Sequence, residues 1–584
     1  MDAVQMEVVY RATAQIAKEL ALNMLRTGYS SVIKESQDFT FTIFDGQGRM
    51  VTQGLPQPLH IGGISAQVGE VIRVFGDDMA EGDVFILNHP YFACQNHATD
   101  VTVVSPVFDQ GRRVAFIANT AHKPDLGGMV PGTNSPQATD VIQEGLLLPA
   151  LRLYRAGALN EDLKTIVMAN TRTPEVTWGD IQAQAQTNFY GLRKLAELMH
   201  QYGADDVTAC WTQWMDICEA EVRKAIEKIP DGNYGPCVDY LDDDGLDRER
   251  AYRIAASLRV AGDEMHFTLE SSEQARGPVN LRPCVIRNFI DCLAVAVLCP
   301  DLPVNQGISR PIHVAFPPEG SILNPRYPAP VNMYVRPAQM VTSVVQMTLA
   351  EALPAVVPAP DSGAGGSVSI SGQDVDRDRW YSLYDLNCGG GGARAESDGP
   401  AVLNSLVINV MNTPVEPLET EFPIRIERYE LFEESGGAGR YRGGLGMVRD
   451  WKMLGDEAFV NLRSDRFKYS APGLHGARDA LPSSAFLNPG TEREQELPSK
   501  VGRLRLGKGD VFRIRYAGGG GRGDPFERDP AKVLDDVRDG YISAETARDA
   551  YGVAVSGRPL EIDEAETRRL RSAPRKGDAG SERA

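Results

Sequence analysis

Apolar residues recur with the 3.6-residue period of an α-helix in three long segments of the first 230 residues. The first segment covers residues 3–27 and ends at Gly28. The other two, near 178–202 and 206–228, are separated by the turn sequence YGADD. The pattern therefore predicts an N-terminal helix and, later in the chain, a helical hairpin.

Between these helices the period changes to that of β-strands. Apolar and β-branched runs at 39–44, 101–108 and 114–119 predict three strands. The last two flank the turn sequence DQGR and are expected to pair as one antiparallel hairpin. A helix is predicted over 61–76, opening after Gly62-Gly63.

The two ends of this hairpin carry the same short motif, His-x-x-Asp. The first copy is HATD at 97–100 and the second is HKPD at 122–125. If the hairpin closes at DQGR, Asp100 lies nearly opposite Ala121, one residue from His122. Opposed Cβ atoms lie roughly 4.5–5.5 Å apart, which lets imidazole and carboxylate groups share one ion at about 2.0–2.2 Å. The spacing predicts a metal site; the alternative is two chance pairs whose histidines are only hydrogen-bonded.

From residue 235 onward, short strands and turns dominate the pattern. A buried-looking helix at 285–298 and an apolar segment at 337–353 interrupt them. The last third contains the glycine-rich sequences SGGAGRYRGGLG, APGLHG and AGGGGRGDP, which we expect to form tight turns with positive φ. A small helical unit is predicted at the end of 526–555.

These patterns predict an α+β protein of several units. Its features are mixed and antiparallel sheets, a helical hairpin and a glycine-rich, strand-rich C-terminal part. A chain of 584 residues is too long for a single hydrophobic core. The expected units are a metal-binding N-terminal part at 1–230, a mixed strand and helix part at 231–400, a β-rich part with a small helical end at 401–560, and a disordered tail at 561–584.

The composition is that of an ordinary globular protein, with 42% hydrophobic and 24% charged residues. A formal net charge of −19 argues against nucleic-acid and anionic membrane partners, because both require a basic surface. No apolar run approaches the ~20 residues that span a bilayer, and no secretory signal is visible. We therefore expect a cytoplasmic protein with no nucleic acid and no membrane as partner.

The eight cysteines are scattered and form no CxxC motif. We expect them to be reduced and to pack as small hydrophobic side chains, which suits a reducing cytoplasm. Cys94 lies three residues before His97 and is a candidate nucleophile or soft ligand. A packing role is favoured for it, because no second base is identifiable.

The glycine-rich loops form no convincing nucleotide site. GRLRLGKG at 502–509 has the glycines and lysine of a P-loop, but Gly509 stands where a Ser or Thr must hold magnesium. GGGGRG at 518–523 fits G-x-G-x-x-G, but Asp524-Pro525 follows it where a helix is needed. CGGGGARAESDG at 388–399 is a weaker candidate for a backbone anion nest. If ATP is used, it is expected to bind elsewhere.

Imidazole and carboxylate ligands together suit Zn²⁺ or Mn²⁺, or Fe²⁺, better than copper or Mg²⁺. Such an ion lowers the pKa of bound water and polarises a carbonyl. Asp125 or Glu144 is then a candidate catalytic base or supporting group. For Glu144, a solvated loop carboxylate is the simpler interpretation.

Long blocks of sequence resemble the hydantoinase B family. They run in family order over roughly residues 5–555 and include NHPY, HATD, FIANTAHKPDLGGMVPGTNS, QEGLLLPALRLYRAG, TWGDIQAQAQTN and RSDRFKYSAPGLHG. The family includes the B subunit of N-methylhydantoinase, the matching half of ATP-dependent 5-oxoprolinase, a lactamase subunit, and subunits of acetone and acetophenone carboxylases.

The resemblance implies which residues hold the ion. Its ligands are expected to be Asp38, His97, Asp100 and His122, and Asp38 is not indicated by spacing. Asp125 is matched too, as a ligand or a supporting group. The resemblance also shows one departure: at residue 89 the family more often has Asp, so the histidine there either alters the pocket rim or is an extra ligand.

The resemblance also implies a reaction shared between two chains of a hetero-oligomer. A hydantoinase A-like partner would bind ATP and phosphorylate the amide or enol oxygen of the substrate. This chain would then hydrolyse the C–N bond of a hydantoin, 5-oxoproline or lactam at its metal site. Two alternatives stay open. One is a subunit of an ATP-dependent ketone carboxylase that uses bicarbonate, for which this chain is shorter than expected; the other is a non-catalytic assembly subunit.

Overall fold

The computed structural model describes residues 1–54, 58–406 and 408–572, and the elements below are those of these ranges. The α-helices are α1 (Ala3–Thr27), α2 (Ser31–Lys34), α3 (Pro58–Phe75), α4 (Glu161–Ala169), α5 (Pro174–Tyr202), α6 (Ala204–Ile226), α7 (Pro283–Leu298), α8 (Val335–Ala352), α9 (Val415–Glu421), α10 (Pro530–Arg538), α11 (Ala544–Tyr551) and α12 (Glu564–Ser572).

The strands of the first half of the chain are β1 (Phe39–Asp45), β2 (Met50–Gly54), β3 (Val84–Leu87), β4 (Asp100–Asp109), β5 (Arg112–His122), β6 (Leu151–Arg155), β7 (Ala158–Leu159), β8 (Gly232–Leu241), β9 (Tyr252–Ala261) and β10 (Glu264–Ser271). Those of the second half are β11 (Ile312–Ala315), β12 (Gly366–Asp374), β13 (Arg379–Asn387), β14 (Ile424–Leu431), β15 (Met447–Met453), β16 (Glu457–Arg463), β17 (Ser484–Leu487), β18 (Gln495–Leu497), β19 (Lys500–Gly507), β20 (Val511–Arg515), β21 (Val555–Ser556) and β22 (Glu561–Ile562).

The N-terminal part is built on a seven-stranded antiparallel sheet in the order β2-β1-β5-β4-β3-β6-β7. Helices pack on both of its faces. On β5, Ile117 shares a core with Leu20 of α1, and its neighbour Phe116 shares another with Val68 of α3. This double burial explains the nearly continuous apolar run that marks β5 in the sequence.

The β4–β5 hairpin closes at the predicted DQGR turn but contains one β-bulge. Near the turn, the pairing skips Val114 of β5 and shifts the register by one residue. As a result, Asp100 lies directly opposite His122, not opposite Ala121 as the sequence spacing alone predicts. The bulge therefore brings the two motif residues closer together than expected.

Helix α3 begins at Pro58, ahead of the start predicted after Gly62-Gly63. Glycine is a poor helix former, so the pattern favoured a later start. In the fold, Gly63 allows the helix to pack against the turn before β4. A Cβ at Gly63 would lie 2.8 Å from the carbonyl oxygen of Cys94. The longer helix also brings His60 into the interior.

Three further sheets complete the main body of the described chain. One has the order β11-β10-β9-β8 and shares a core with α6, α7 and α8. The other two, β13-β12-β16-β19 and β14-β15-β20-β17-β18, share a core that includes Ile370, Val460, Trp451 and Phe512. The C-terminal part is thus two sheets packed through their inner faces.

The glycine-rich segments of the C-terminal part pack backbone against backbone. Gly444 donates its N–H to the Gly391 carbonyl at 2.8 Å, and Gly519 donates to the Gly444 carbonyl at 2.9 Å. None of the three has a positive φ. The expectation of positive-φ turns is therefore wrong for Gly444 and Gly519, where glycine is required by close contact between three chain segments.

The predicted α+β class, with mixed and antiparallel sheets and the α5–α6 hairpin, is confirmed. The proposed unit boundaries at 230, 400 and 560 stay predictions. Part of the expected disordered tail is helical, because α12 covers Glu564–Ser572; the rest, residues 573–584, lies outside the described residues. Among the described helices, none has the length and apolar character needed to cross a bilayer.

Cys94 and Cys284 are joined by a disulfide, so the expectation that all cysteines are reduced is wrong for this pair. The bond ties the turn before β4 to the start of α7. Cys94 is consequently not a free thiol and is neither a nucleophile nor a soft metal ligand in this structure.

We predict that Gly63→Ala destabilises the protein by about 1–3 kcal/mol, because the added methyl group collides with the backbone of the turn before β4. The matched control is Gly69→Ala in the same helix, where no atom lies within 4 Å of an added Cβ. It should stabilise the fold by about 0.5–1 kcal/mol. Urea denaturation of both variants measures the difference, and equal stability would contradict the close packing of α3.

Candidate metal centre

Five buried side chains from separate segments meet at the wall of one cavity. They come from the residue before β1, the first turn of α3, the turn before β4, the start of β4 and the end of β5. The five are Asp38, His60, His97, Asp100 and His122. The rest of the wall comes from the segment before α8 and the start of that helix, from β12, β13 and β16 with the residue before β12, and from loop segments at 404–406 and 408–410, so the cavity lies where the N-terminal and C-terminal parts meet.

His97, Asp100 and His122 form the tightest group. One potential ligand atom from each lies within 4.8 Å of the other two. His97 Nε2 and His122 Nδ1 each lie 2.9 Å from the same oxygen, Asp100 Oδ1. All three side chains are at most 3% exposed. The structure thus brings together three of the four His and Asp residues of the two His-x-x-Asp motifs.

The ring nitrogens of this group are placed as metal ligands would be. His97 Nδ1 lies 3.2 Å from the Asn332 carbonyl oxygen. A neutral ring that donates there has its lone pair on Nε2, which faces the Asp100 carboxylate and the Thr99 hydroxyl. Among the described residues, the buried His122 Nε2 has no hydrogen-bond partner. A divalent cation fits this set, because it would be attracted to both lone pairs and to the carboxylate.

Burial sets the charge of the cluster. It lowers the pKa of His122 to about 3 and the pKa of His60 to about 4. For Asp100, burial acts in the opposite direction, but the nearby His97 and His60 outweigh it and hold its pKa well below the usual value. Near neutral pH the His60 and His122 rings are therefore neutral and Asp100 is ionised, which is the protonation state that metal binding requires.

His60 belongs to this cluster and was not predicted from the sequence. Its Nε2 lies 3.4 Å from Asp38 Oδ1 and 3.7 Å from Asp100 Oδ2, so the ring sits between two carboxylates. The predicted start of α3 left His60 outside any element. The one available signal was that His60 is among only eight histidines in the chain.

Asp38, which only the resemblance indicated, lies beside His60 at the edge of the tight group. Its backbone carbonyl accepts a hydrogen bond of 3.1 Å from the His122 N–H, which fixes the end of β5. Its position in the cavity is compatible with a ligand. That role stays a prediction.

Asp125 points away from this cavity. Its carboxylate accepts hydrogen bonds of 2.9 Å from the backbone N–H groups of Gly127, Gly132 and Arg172. The Arg172 guanidinium adds an ion pair at 3.1 Å. Since its oxygens are engaged in holding the loop after β5, the geometry favours a positioning role over that of a catalytic base.

Glu144 is fully buried, so its interpretation as a solvated loop carboxylate is wrong. Its Oε1 accepts hydrogen bonds from the backbone N–H groups of Val331 at 2.7 Å and Asn332 at 2.8 Å. Burial raises its pKa well above the usual value. Glu144 does not line the cavity among the described residues; it holds Asn332, whose carbonyl contacts His97. The geometry again favours positioning over catalysis.

His89 acts as a turn cap. Its Nδ1 accepts hydrogen bonds from the backbone N–H groups of Tyr91 at 3.1 Å and Phe92 at 3.2 Å. A carboxylate could accept the same bonds, which explains how histidine can replace the more usual Asp at this position. The ring stacks on Phe92 with centroids 4.1 Å apart.

A second group of possible ligands, Glu264, His266 and His313, lies on β10 and β11. These side chains are 31–46% exposed, and Arg223 already contacts Glu264 at 3.3 Å. The buried group at the cavity is therefore the better-built candidate centre.

The chain was compared with known proteins. Residues 2–525 match the model of the hydantoinase B/oxoprolinase family. An uncharacterized protein of Methanocaldococcus jannaschii is 32% identical over 580 residues, which cover 98% of this chain and all of that protein. Caprolactamase subunit beta of Pseudomonas jessenii is 31% identical over 584 residues, covering 98% of this chain and 99% of that protein. The crystal structure of ATP-dependent caprolactamase from Pseudomonas jessenii has a TM-score of 0.92 at 30% identity, covering 98% and 100% of the two chains.

We predict that His97→Ala and His122→Ala each reduce bound divalent metal to trace amounts, because each removes one member of a three-ligand set. His60→Ala should retain metal with an affinity lowered about 10- to 100-fold, as expected for a residue that orients ligands. Elemental analysis after dialysis measures the metal content, with His313→Ala as the control. Undiminished metal in both His97→Ala and His122→Ala would rule out this centre.

A second prediction concerns Glu144. Glu144→Ala should lower the free energy of unfolding by at least about 2 kcal/mol, because two buried backbone N–H groups lose their acceptor. Glu144→Gln keeps an acceptor oxygen and should cost less than about 1 kcal/mol. Guanidinium denaturation distinguishes the two variants, and equal losses would show that these hydrogen bonds are not the reason for the burial of Glu144.

Proposed function

This chain belongs to the hydantoinase B/oxoprolinase family, and from that premise we propose that it is the metal-dependent subunit of an ATP-dependent cyclic amide hydrolase. The observation that carries the proposal is the buried group of His97, Asp100 and His122 at the wall of a cavity. A divalent ion held by this group, Zn²⁺, Mn²⁺ or Fe²⁺ by ligand type, would supply Lewis acidity and a water of lowered pKa.

The protein's own residues prepare the cavity for this chemistry. Asp100 provides the negative charge, and the His97 and His122 rings provide nitrogen ligands. The Asn332 carbonyl fixes the orientation of His97, and Glu144 fixes Asn332 through its backbone N–H. The cluster is almost completely buried, so bulk water is kept from the reacting bond and electrostatic interactions there are strong.

The nucleotide is proposed to bind to a separate, hydantoinase A-like chain of a hetero-oligomer. In this chain, most of GRLRLGKG forms strand β19, and the GGGG run packs against other glycine backbones. Each of these two candidate nucleotide loops thus has a structural role in the fold. Unstrained amides hydrolyse slowly, so phosphorylation by such a partner would explain why ATP is used. Because the reaction is proposed to use ATP, we also propose a cytoplasmic location.

The test is an assay of the reconstituted complex. The chain is co-purified with a hydantoinase A-like partner and supplied with ATP and a hydantoin, 5-oxoproline or caprolactam, and ring opening is followed by mass spectrometry. We expect ring opening to be stoichiometric with ATP hydrolysis. His97→Ala should abolish turnover while the complex still co-elutes in gel filtration, because His97 lies in an interior cavity.

Other outcomes would redirect the proposal. Loss of the complex in His97→Ala would indicate a structural centre and favour an assembly subunit. ATP hydrolysis that depends on a ketone and bicarbonate, with no ring opening, would identify a carboxylase subunit.

A further inference from the structure

Two buried arginines line the same cavity as the metal centre. Arg336 lies in the first turn of α8 and Arg463 is the last residue of β16, and they are 2% and 5% exposed. Arg336 donates to the carbonyl oxygens of Ala364, at 3.1 Å, and Gly365. Neither guanidinium is within ion-pair distance of a carboxylate in the described part of the chain. Buried charges are normally paired, so these two require an explanation.

Most buried arginines elsewhere in the described chain are paired with a carboxylate; Arg522, which donates to the carbonyl oxygens of Val357 and Pro354, is not. Arg466 pairs with Asp239 at 2.7 Å, and Arg449 pairs with Asp385 at 3.3 Å. Arg528 pairs with Asp536 at 2.7 Å. These three arginines thus have a carboxylate within 4 Å, whereas among the described residues the two cavity arginines have none at that distance.

Arg463 lies close to the candidate metal centre. Its Nη1 lies 3.5 Å from the Asn332 carbonyl oxygen, which also contacts His97 Nδ1. Its guanidinium carbon lies 5.3 Å from the centroid of the Tyr384 ring, on which the His122 ring stacks at 4.4 Å. Arg463 is therefore separated from two candidate ligands by one intervening group each.

Neighbouring groups hold Arg463 but leave part of it unused. Nη2 donates hydrogen bonds to the Tyr384 hydroxyl at 2.8 Å and to the Ser367 hydroxyl. Among the described residues, the buried Nε has no hydrogen-bond partner. Burial, together with the nearby charge of Arg463, lowers the pKa of Arg336 to about 10. The arrangement places two guanidinium groups in the cavity wall, one of which has a donor without a partner among the described residues.

We propose that Arg463, supported by the charge of Arg336, forms an oxyanion subsite beside the metal centre that binds the phosphoryl or carboxylate group of the reacting substrate. The planar guanidinium fork matches both groups, and its hydrogen bonds to them are charge-assisted. This inference rests on the proposed function, because the proposed reaction determines which group the subsite binds. A lactam or hydantoin is neutral, so the oxyanion is either the phosphoryl group added by ATP or a carboxylate that the substrate itself carries.

Direct binding of anions to the purified full-length chain tests the subsite. Inorganic phosphate and acetate are titrated by calorimetry into the chain, once metal-loaded and once after chelation, so that binding to the ion is separated from binding to arginine. We expect Arg463→Gln to weaken binding of the preferred anion about 10- to 100-fold in both preparations. Arg463→Lys should keep part of the affinity, because it keeps the charge but loses the fork.

The matched control is Arg505→Gln, which removes an exposed arginine paired with Glu457 at 2.5 Å. It should bind both anions as the wild type does. Preference for phosphate would assign the subsite to the phosphoryl group, and preference for acetate to a substrate carboxylate. Unchanged binding of both anions in Arg463→Gln would overturn the proposal.

Tyr384→Phe provides a second variant in case Arg463→Gln does not fold. It removes the hydroxyl that orients Arg463, and several-fold weaker binding is expected; unchanged affinity there would also overturn the subsite. The measurement needs neither partner nor ATP. If the chain binds anions but the reconstituted complex opens no ring, the proposed hydrolase function is rejected and the subsite is retained. If the complex opens the ring but the chain binds no anion, only the subsite is rejected.

Discussion

The register of the β4–β5 hairpin is the constraint on which the candidate site depends. Successive side chains of a strand point to opposite faces, so a slip of one residue moves every side chain to the other face. The bulge at Val114 sets Asp100 opposite His122. Without it, Asp100 would face Ala121, which belongs to the apolar core beneath α1. One extra residue near the turn thus places a carboxylate and an imidazole together at the far end of the hairpin.

The other parts of the centre are attached to this hairpin by long-range contacts. Helix α3 packs closely enough at Gly63 to insert His60 between two carboxylates. The segment before α8 brings the Asn332 carbonyl to His97, and Glu144 holds that segment by its backbone. Because every polar group in this chain of contacts is buried, each relies on its partner to offset the cost of leaving water. The geometry of the ligands consequently depends on contacts between the N-terminal part and the segment before α8.

Local patterns predicted the elements of the fold and part of the site. Periodicity identified α1, the α5–α6 hairpin and both strands of the motif hairpin, since these depend on nearby residues. The bulge was not predictable, because it depends on the packing of two faces. His60 and the burial of Glu144 depend on neighbours far away in sequence, and Asp38 was reached only through family resemblance. The glycine segments were misread because spacing does not show whether glycine serves a turn or the close contact of Gly391, Gly444 and Gly519.

The charges around the cavity bear on which form of the substrate is accepted. A divalent ion beside His97 and His122 would add positive charge to a wall that already contains Arg336 and Arg463. A neutral cyclic amide gains little from such a field, whereas a phosphorylated or carboxylated molecule gains from both sides, and strongly so in a buried site. On the proposed function, ATP would then do two things at once: it would weaken the amide and give the substrate the negative charge that this cavity binds. Selection of the activated form would thereby follow from electrostatics, with no separate recognition of the ring required.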